Sequence, residues 1–150
     1  MTTRKKVLVV DDEPGILHLM ADVFLEEGYE VTMALDGQKA IVTGSSRGIG
    51  RGIALALANA GADVVVTARA SGRAEPVAEE IRNMGRKALA LSLDVTLLES
   101  IGHVVDVVEE SFGGIDILVN NAGVNIPEKA VDVTEEHWDT VLDTNLKGLF

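Results

Sequence analysis

Ala40-Ile41-Val42-Thr43-Gly44-Ser45-Ser46-Arg47-Gly48-Ile49-Gly50 is the stretch that decides the fold. Residues 40–42 form a short apolar run suited to a strand buried on both faces. The glycines that follow let a backbone come close to a bulky anion. A helix opening behind them would offer unpaired N–H groups and a partial positive charge. A glycine-rich turn needed only for tight packing is the simpler alternative. The spacing of Gly44, Gly48 and Gly50 departs from G-x-G-x-x-G.

Working outward, a helix is expected to about Ala60, stopped by Gly61. Strands are predicted at residues 63–67, 88–93 and 115–119, and helices at 76–84 and from Thr96 to about Ser111. Thr96 and Glu99 read as a capping box. Thr134, with Glu135 and Glu136 behind it, starts a last helix that carries Trp138, Val141, Leu142, Leu146 and Leu149 on one face. Trp138 is expected to bury against the sheet. Upstream, residues 7–10 and 31–35 read as strands. Between them, Pro14, Leu17, Met20, Ala21, Phe24 and Leu25 mark a helix that Gly28 stops. Strand and helix alternate throughout, which predicts a three-layer α/β fold with a mainly parallel sheet.

Composition narrows the function. The 150 residues are 47% hydrophobic and 25% charged, as in a soluble globular protein. A net charge of −11 argues against a nucleic-acid partner, since nothing would neutralise a run of phosphates. There is no cysteine, so disulfides and thiolate metal sites are excluded and a cytoplasmic location is the expectation. No membrane span and no signal peptide are expected. His18, His103 and His137 lack ligand-type spacing, and no metal site is expected from them.

Four motifs fall in register over residues 36–150. They are Thr43-Gly-x-x-x-Gly48-Ile-Gly50, Asp94-Val95, Asn120-Asn121-Ala122-Gly123 and Asn145-Leu-Lys-Gly148. In this order, each at a strand end or helix start, they resemble the cofactor-binding half of a short-chain dehydrogenase/reductase. The resemblance implies a Rossmann-like sheet with core order 3-2-1-4. It implies cofactor contacts from Gly44, Ser46, Arg47, Gly48, Ile49 and Gly50, with Asp94 and Val95 about the adenine. Asn121, Ala122 and Gly123 would line the cofactor, and Asn145 would match the helix asparagine of the family's catalytic tetrad. Asn145 could equally be a polar residue on a helix flank.

Cofactor choice follows from charge. The second strand of this block ends Thr67-Ala68-Arg69, without the acid that would accept bonds from ribose hydroxyls. Arg69 and Arg47 could instead hold a 2′-phosphate, so NADP(H) is expected over NAD(H). The alternatives are two solvated arginines and no bound cofactor. Reducing a carbonyl also needs a proton donor within reach. The family uses a Tyr-x-x-x-Lys pair and a Ser. Here Tyr29 is the single tyrosine and position 33 is Met. Binding without turnover is therefore the expectation.

Residues 4–38 resemble something else. Lys6-Val-Leu-Val-Val-Asp11-Asp12-Glu-Pro-Gly15, the helix after it and residues 28–37 are similar to the opening strand-helix-strand of a response-regulator receiver domain. There the resemblance makes Asp11 and Asp12 weak candidates for Mg²⁺. No phospho-acceptor can be assigned, so a phospho-accepting role is the weakest reading. Residues 35–40, Leu-Asp-Gly-Gln-Lys-Ala, fit both families. The chain thus reads as a receiver-like fragment (1–38) joined to a truncated dehydrogenase-like block (39–150) in one compact unit. Recombination, engineering or mis-assembly would each leave this seam, and a chimera of structural interest with no ligand is the alternative function. Residues 36–39 span at most ~14 Å, too short for a parallel crossover. The receiver-like piece is therefore expected to dock at the sheet edge beside residues 115–119. Self-association is expected through an exposed apolar face of the last helix.

Overall fold

The structure, a computed structural model, describes Lys6–Val7, Glu30–Val31 and residues 37–150. Strands β1 (Lys6–Val7) and β2 (Glu30–Val31) pair in parallel, Lys6 opposite Glu30 and Val7 opposite Val31. From residue 39 the order is β3 (Lys39–Val42), α1 (Gly48–Asn59), β4 (Asp63–Ala68), α2 (Ser71–Asn83), β5 (Ala88–Ser92), α3 (Leu98–Phe112), β6 (Ile117–Val119) and α4 (Glu135–Asn145). A short 3₁₀ turn, Lys147–Leu149, follows. Strands β3 to β6 form one parallel sheet in the order β5-β4-β3-β6, the 3-2-1-4 arrangement expected from the sequence.

Alternation along the strands builds the layers. Ala40, Val42, Val64 and Val66 pack with Ala54, Leu57 and Ala58 of α1 and with Val77, Ala78 and Ile81 of α2. Ile41 and Val65 point the other way, into a second cluster with Leu93, Val104 and Val108. The middle strands are hydrophobic on both faces because helices cover both. Burying a side chain the size of Leu57 or Ile81 contributes about 1.5–3 kcal/mol. The cluster on the α1/α2 side is the larger. At the opposite side of the sheet β6 is less covered, and Leu118 is 57% exposed.

Four expectations are corrected. α2 starts at Ser71, not at Pro76, which lies in its second turn. The bond that Pro76 cannot make would go to Gly72, whose place on the exposed start of the helix lets water substitute. Thr96 does not cap α3. Its amide and hydroxyl both donate to Asp94 Oδ1, at 3.0 and 2.6 Å, and Leu97 occupies the cap position without a side-chain bond. A carboxylate two residues upstream takes the Thr96 amide that Glu99 would accept in a capping box. Trp138 is 58% exposed, since α4 buries no residue at all. Finally, among the described residues β1 and β2 form a two-stranded sheet of their own, with no ladder to β6. The rest of the receiver-like stretch, Asp11 and Asp12 included, lies outside the described residues.

Candidate functional site

The carboxyl ends of β3, β4, β5 and β6 converge on one cleft of about 710 Å³. Its floor is the turn between β3 and α1, held by buried hydroxyls. Ser45, fully buried, donates from Oγ to the Val42 carbonyl at 2.6 Å and accepts from the Thr67 amide at 3.0 Å. The Ser45 amide donates to the Thr67 carbonyl at 2.9 Å, and the Gly44 amide to Thr67 Oγ1 at 3.2 Å. The turn is thereby welded to β4.

A second set of bonds welds it to β6. Thr43 Oγ1 accepts from the amides of Asn121 and Ala122 at 2.9 and 2.8 Å. Asn121 Nδ2 donates back to the carbonyls of Thr43 and Gly44, at 2.8 and 3.2 Å. This close approach dictates two glycines. A Cβ on Gly50 would lie 2.3 Å from Asn121 Nδ2 and 2.7 Å from the Gly44 oxygen, and one on Gly44 would lie 2.9 Å from Ala122 Cα. Gly44 also has φ +65°, a conformation most residues avoid.

α1 starts at Gly48 behind Arg47, an extended residue that makes no side-chain cap bond. The first amides of the helix are left with no side-chain acceptor and border the cleft, the arrangement that suits an anion. α1 also carries no acid in its first turn.

All twelve cofactor-contact residues named from the sequence line this cleft: Gly44, Ser46, Arg47, Gly48, Ile49, Gly50, Arg69, Asp94, Val95, Asn121, Ala122 and Gly123. Asp94 has a carboxyl held below the usual range, chiefly by the Thr96 hydroxyl bond, then by the Thr96 amide, with Arg69 adding a smaller pull. Asn145 is not in the lining. Its Oδ1 accepts from the Val124 amide at 2.8 Å and its Nδ2 donates to the Val124 carbonyl at 2.9 Å. It is neither an idle flank residue nor a group aimed into the cleft: it clasps the loop after β6.

Sequence reasoning missed Arg73, which joins Arg47 and Arg69 in the lining, and Thr140, Asp143 and Thr144, contributed by α4. Arg73 was hidden because α2 was expected to begin later. The buried roles of Ser45 and Thr67 were missed as well, although a hydroxyl in a run such as Val64-Val65-Val66-Thr67 is a signal that could have found one of them. Among the described residues no group of three potential metal ligands comes together, and no helix is long and apolar enough to cross a membrane.

A parallel sheet whose first turn combines glycines with an open helix end defines a Rossmann-like α/β protein. The profile of the short chain dehydrogenase family matches residues 38–150. The chain is 43% identical over 114 residues to the 3-oxoacyl-(acyl-carrier-protein) reductase FabG of Staphylococcus epidermidis, a span covering 75% of this chain and 47% of that protein. It is 46% identical over 109 residues to the short-chain dehydrogenase/reductase FrzI of Cladobotryum, covering 72% and 42%. Its backbone is similar to a crystal structure of a short-chain type dehydrogenase/reductase from Mycobacterium marinum. There the TM-score is 0.77 and the identity 41%, over 79% of this chain and 48% of the other. The chain belongs to the short-chain dehydrogenase family. It spans about half the length of the curated relatives it matches.

Proposed function

We propose that this chain is a dinucleotide-binding module of the short-chain dehydrogenase type that takes NADP(H) in preference to NAD(H). The observation that carries the reading is the uncapped start of α1 beside Gly44 and Gly48. A Cβ on Gly48 would meet nothing within 4 Å, so a diphosphate has room to reach the backbone there. Asn121, Ala122 and Gly123 would line the far half of the cofactor, and Asp94 and Val95 the adenosine half. Arg47, Arg69 and Arg73 line the cleft and would supply the positive charge that a 2′-phosphate on the adenosine ribose needs. A bound nicotinamide would supply hydride transfer. The 150 residues contain no Tyr-x-x-x-Lys, and for this stretch by itself the proposal is binding without turnover. Reduction of a 3-oxoacyl group, named for the FabG relatives, would need that proton donor.

The test is a titration with NADPH and NADH read by thermal shift, because a ligand that binds only the folded state stabilises it by mass action. Millimolar NADPH should raise the melting temperature. Arg69→Glu should erase the preference for NADPH over NADH, and an unchanged preference would count against the arginine rim.

A second reading concerns the first 38 residues. The family match begins at residue 38, where the receiver-like stretch ends, and β1 and β2 keep to their own sheet. This supports a separate, receiver-like origin for the segment and a chimeric chain. We also propose a cytoplasmic setting, resting on the cysteine-free composition, and self-association through α4, whose Trp138 is exposed together with Leu146 and Leu149.

A further inference from the structure

Gly148 has no conformational reason to be glycine: it is absent from the residues of positive φ. Its reason is space. A Cβ built there would lie 2.8 Å from Val95 Cγ2, 3.1 Å from Val95 Cβ and 3.2 Å from the Val95 oxygen. Val95 lines the cleft, on the loop that follows β5. The 3₁₀ turn after α4 therefore abuts a cleft-lining residue contributed by another part of the chain.

Val95 also packs against the cluster of Ile41, Val65, Leu93, Val104 and Val108. That core is close-packed and resists further compression. A methyl group arriving from Gly148 can shift Val95 away from itself only toward the open volume of the cleft, or else lift the turn. The sheet order puts β5 next to β4, so Val95 stands on the same side as Arg69. In a fold of this kind that side receives the adenosine half of a dinucleotide.

We infer that Gly148 is a positioning residue: by bringing the turn after α4 against Val95, it sets the width of the adenosine end of the cleft. The inference rests on the dinucleotide reading above and deepens it. Nothing at Gly148 touches the ligand, and its effect passes through Val95.

The experiment measures NADPH affinity by fluorescence titration in the full chain, in Gly148→Ala, in Val95→Ala and in the double variant. Gly52→Ala is the control, since a Cβ there meets nothing within 4 Å. Gly148→Ala should weaken NADPH about tenfold, a loss in line with forcing one methyl group into a packed contact. Gly52→Ala should leave affinity unchanged. In the Val95→Ala background the effect of Gly148→Ala should shrink without vanishing, because the Val95 oxygen at 3.2 Å remains. A merely structural role for Gly148 would lower the melting temperature of Gly148→Ala and leave the NADPH affinity of the folded chain unchanged.

If the unaltered chain binds NADPH and Gly148→Ala binds equally well, the inference fails and the cofactor reading stands. If the unaltered chain does not bind at millimolar NADPH, both fail. Should Gly148→Ala not fold, the double variant carries the test. Binding close to that of Val95→Ala alone supports the buttress, and loss of binding in a folded double variant overturns it.

Discussion

Helices α1 and α4 both border the cleft, yet they are held in opposite ways. α1 has no side-chain cap and buries Gly50, Ala54, Leu57 and Ala58 against the sheet. α4 buries nothing, but Thr134 Oγ1 caps it by accepting the His137 amide at 3.1 Å, and Glu135 and Glu136 favour its first turn. The difference shows which terminus is available. A helix end satisfied by its own cap and crowded by acids is a poor anion site. One anchored by burial can leave its amides open. Family membership and the helix end exposed at the cleft thus point to the same place in the molecule.

The strongest way to break this comparison is to cut each helix's apolar contacts. Leu57→Ala should cost about 2–5 kcal/mol, since the side chain is 1% exposed in a core with little room to relax. Trp138→Ala, at dilution where chains are monomeric, should stay within about 0.5 kcal/mol despite removing a larger group. Urea unfolding followed by circular dichroism would measure both, because α1 and α4 belong to the same chain. Equal losses would mean that α4 is covered after all. At higher concentration Trp138→Ala should reduce association seen by light scattering, if this face is where copies meet.

A finer test compares two polar clasps with the same number of bonds. Ser45 and Asn145 each make two, one donated and one accepted. Burial separates them. Ser45→Ala strands the Thr67 amide in a dry interior and should cost about 1–3 kcal/mol. Asn145→Ala leaves the Val124 groups near water and should cost about 0.5–1.5 kcal/mol. Comparable unfolding losses for the two would show that the loop after β6 is more enclosed than its exposure indicates.

The α1 side of the molecule was the more legible in the sequence, and for a physical reason. Strands buried on both faces have to be continuous apolar runs, and Val64-Val65-Val66 can hardly be read otherwise. Glycines forced by contact, such as Gly44 and Gly50, mark the turn they serve. The motifs then implied the strand order, and the residues they singled out at the strand ends all line the cleft. Legibility failed where local signals compete or where burial depends on distant parts. Thr96 carried a capping pattern, but Asp94 took its donors. Trp138 looked like core, yet it is 58% exposed on a helix that buries no residue. A helix stripe records that a residue can be buried, not that a surface is there to bury it. Ser45 and Thr67 belong to the same class, since their partners lie 22 residues apart in sequence and no spacing rule links them.

The smallest expected effects lie in two charged contacts, at Asp94 and at Lys147, and pH separates them. Asp94 has a lowered pKa in the folded chain, first because of the Thr96 bonds. Its stabilising contribution is therefore present above the ordinary carboxylate value, about 3.9, and is lost as pH falls through the lowered one. Lys147 has a raised pKa through its i,i+4 pair with Asp143 on the α4 side. That contribution is complete below the ordinary lysine value and disappears as pH rises through the raised one. Subtracting the unfolding curves of Asp94→Asn and Lys147→Met from the parent should give an acid-limb difference for the first and an alkaline-limb difference for the second. Added salt discriminates further. Lys147 is exposed, so high ionic strength should flatten its limb, whereas Asp94 depends mainly on hydrogen bonds and should keep most of its own. An acid limb that vanished equally in salt would mean that Arg69, not Thr96, controls Asp94, and the arginine would then be committed to that carboxylate and less free to meet a phosphate.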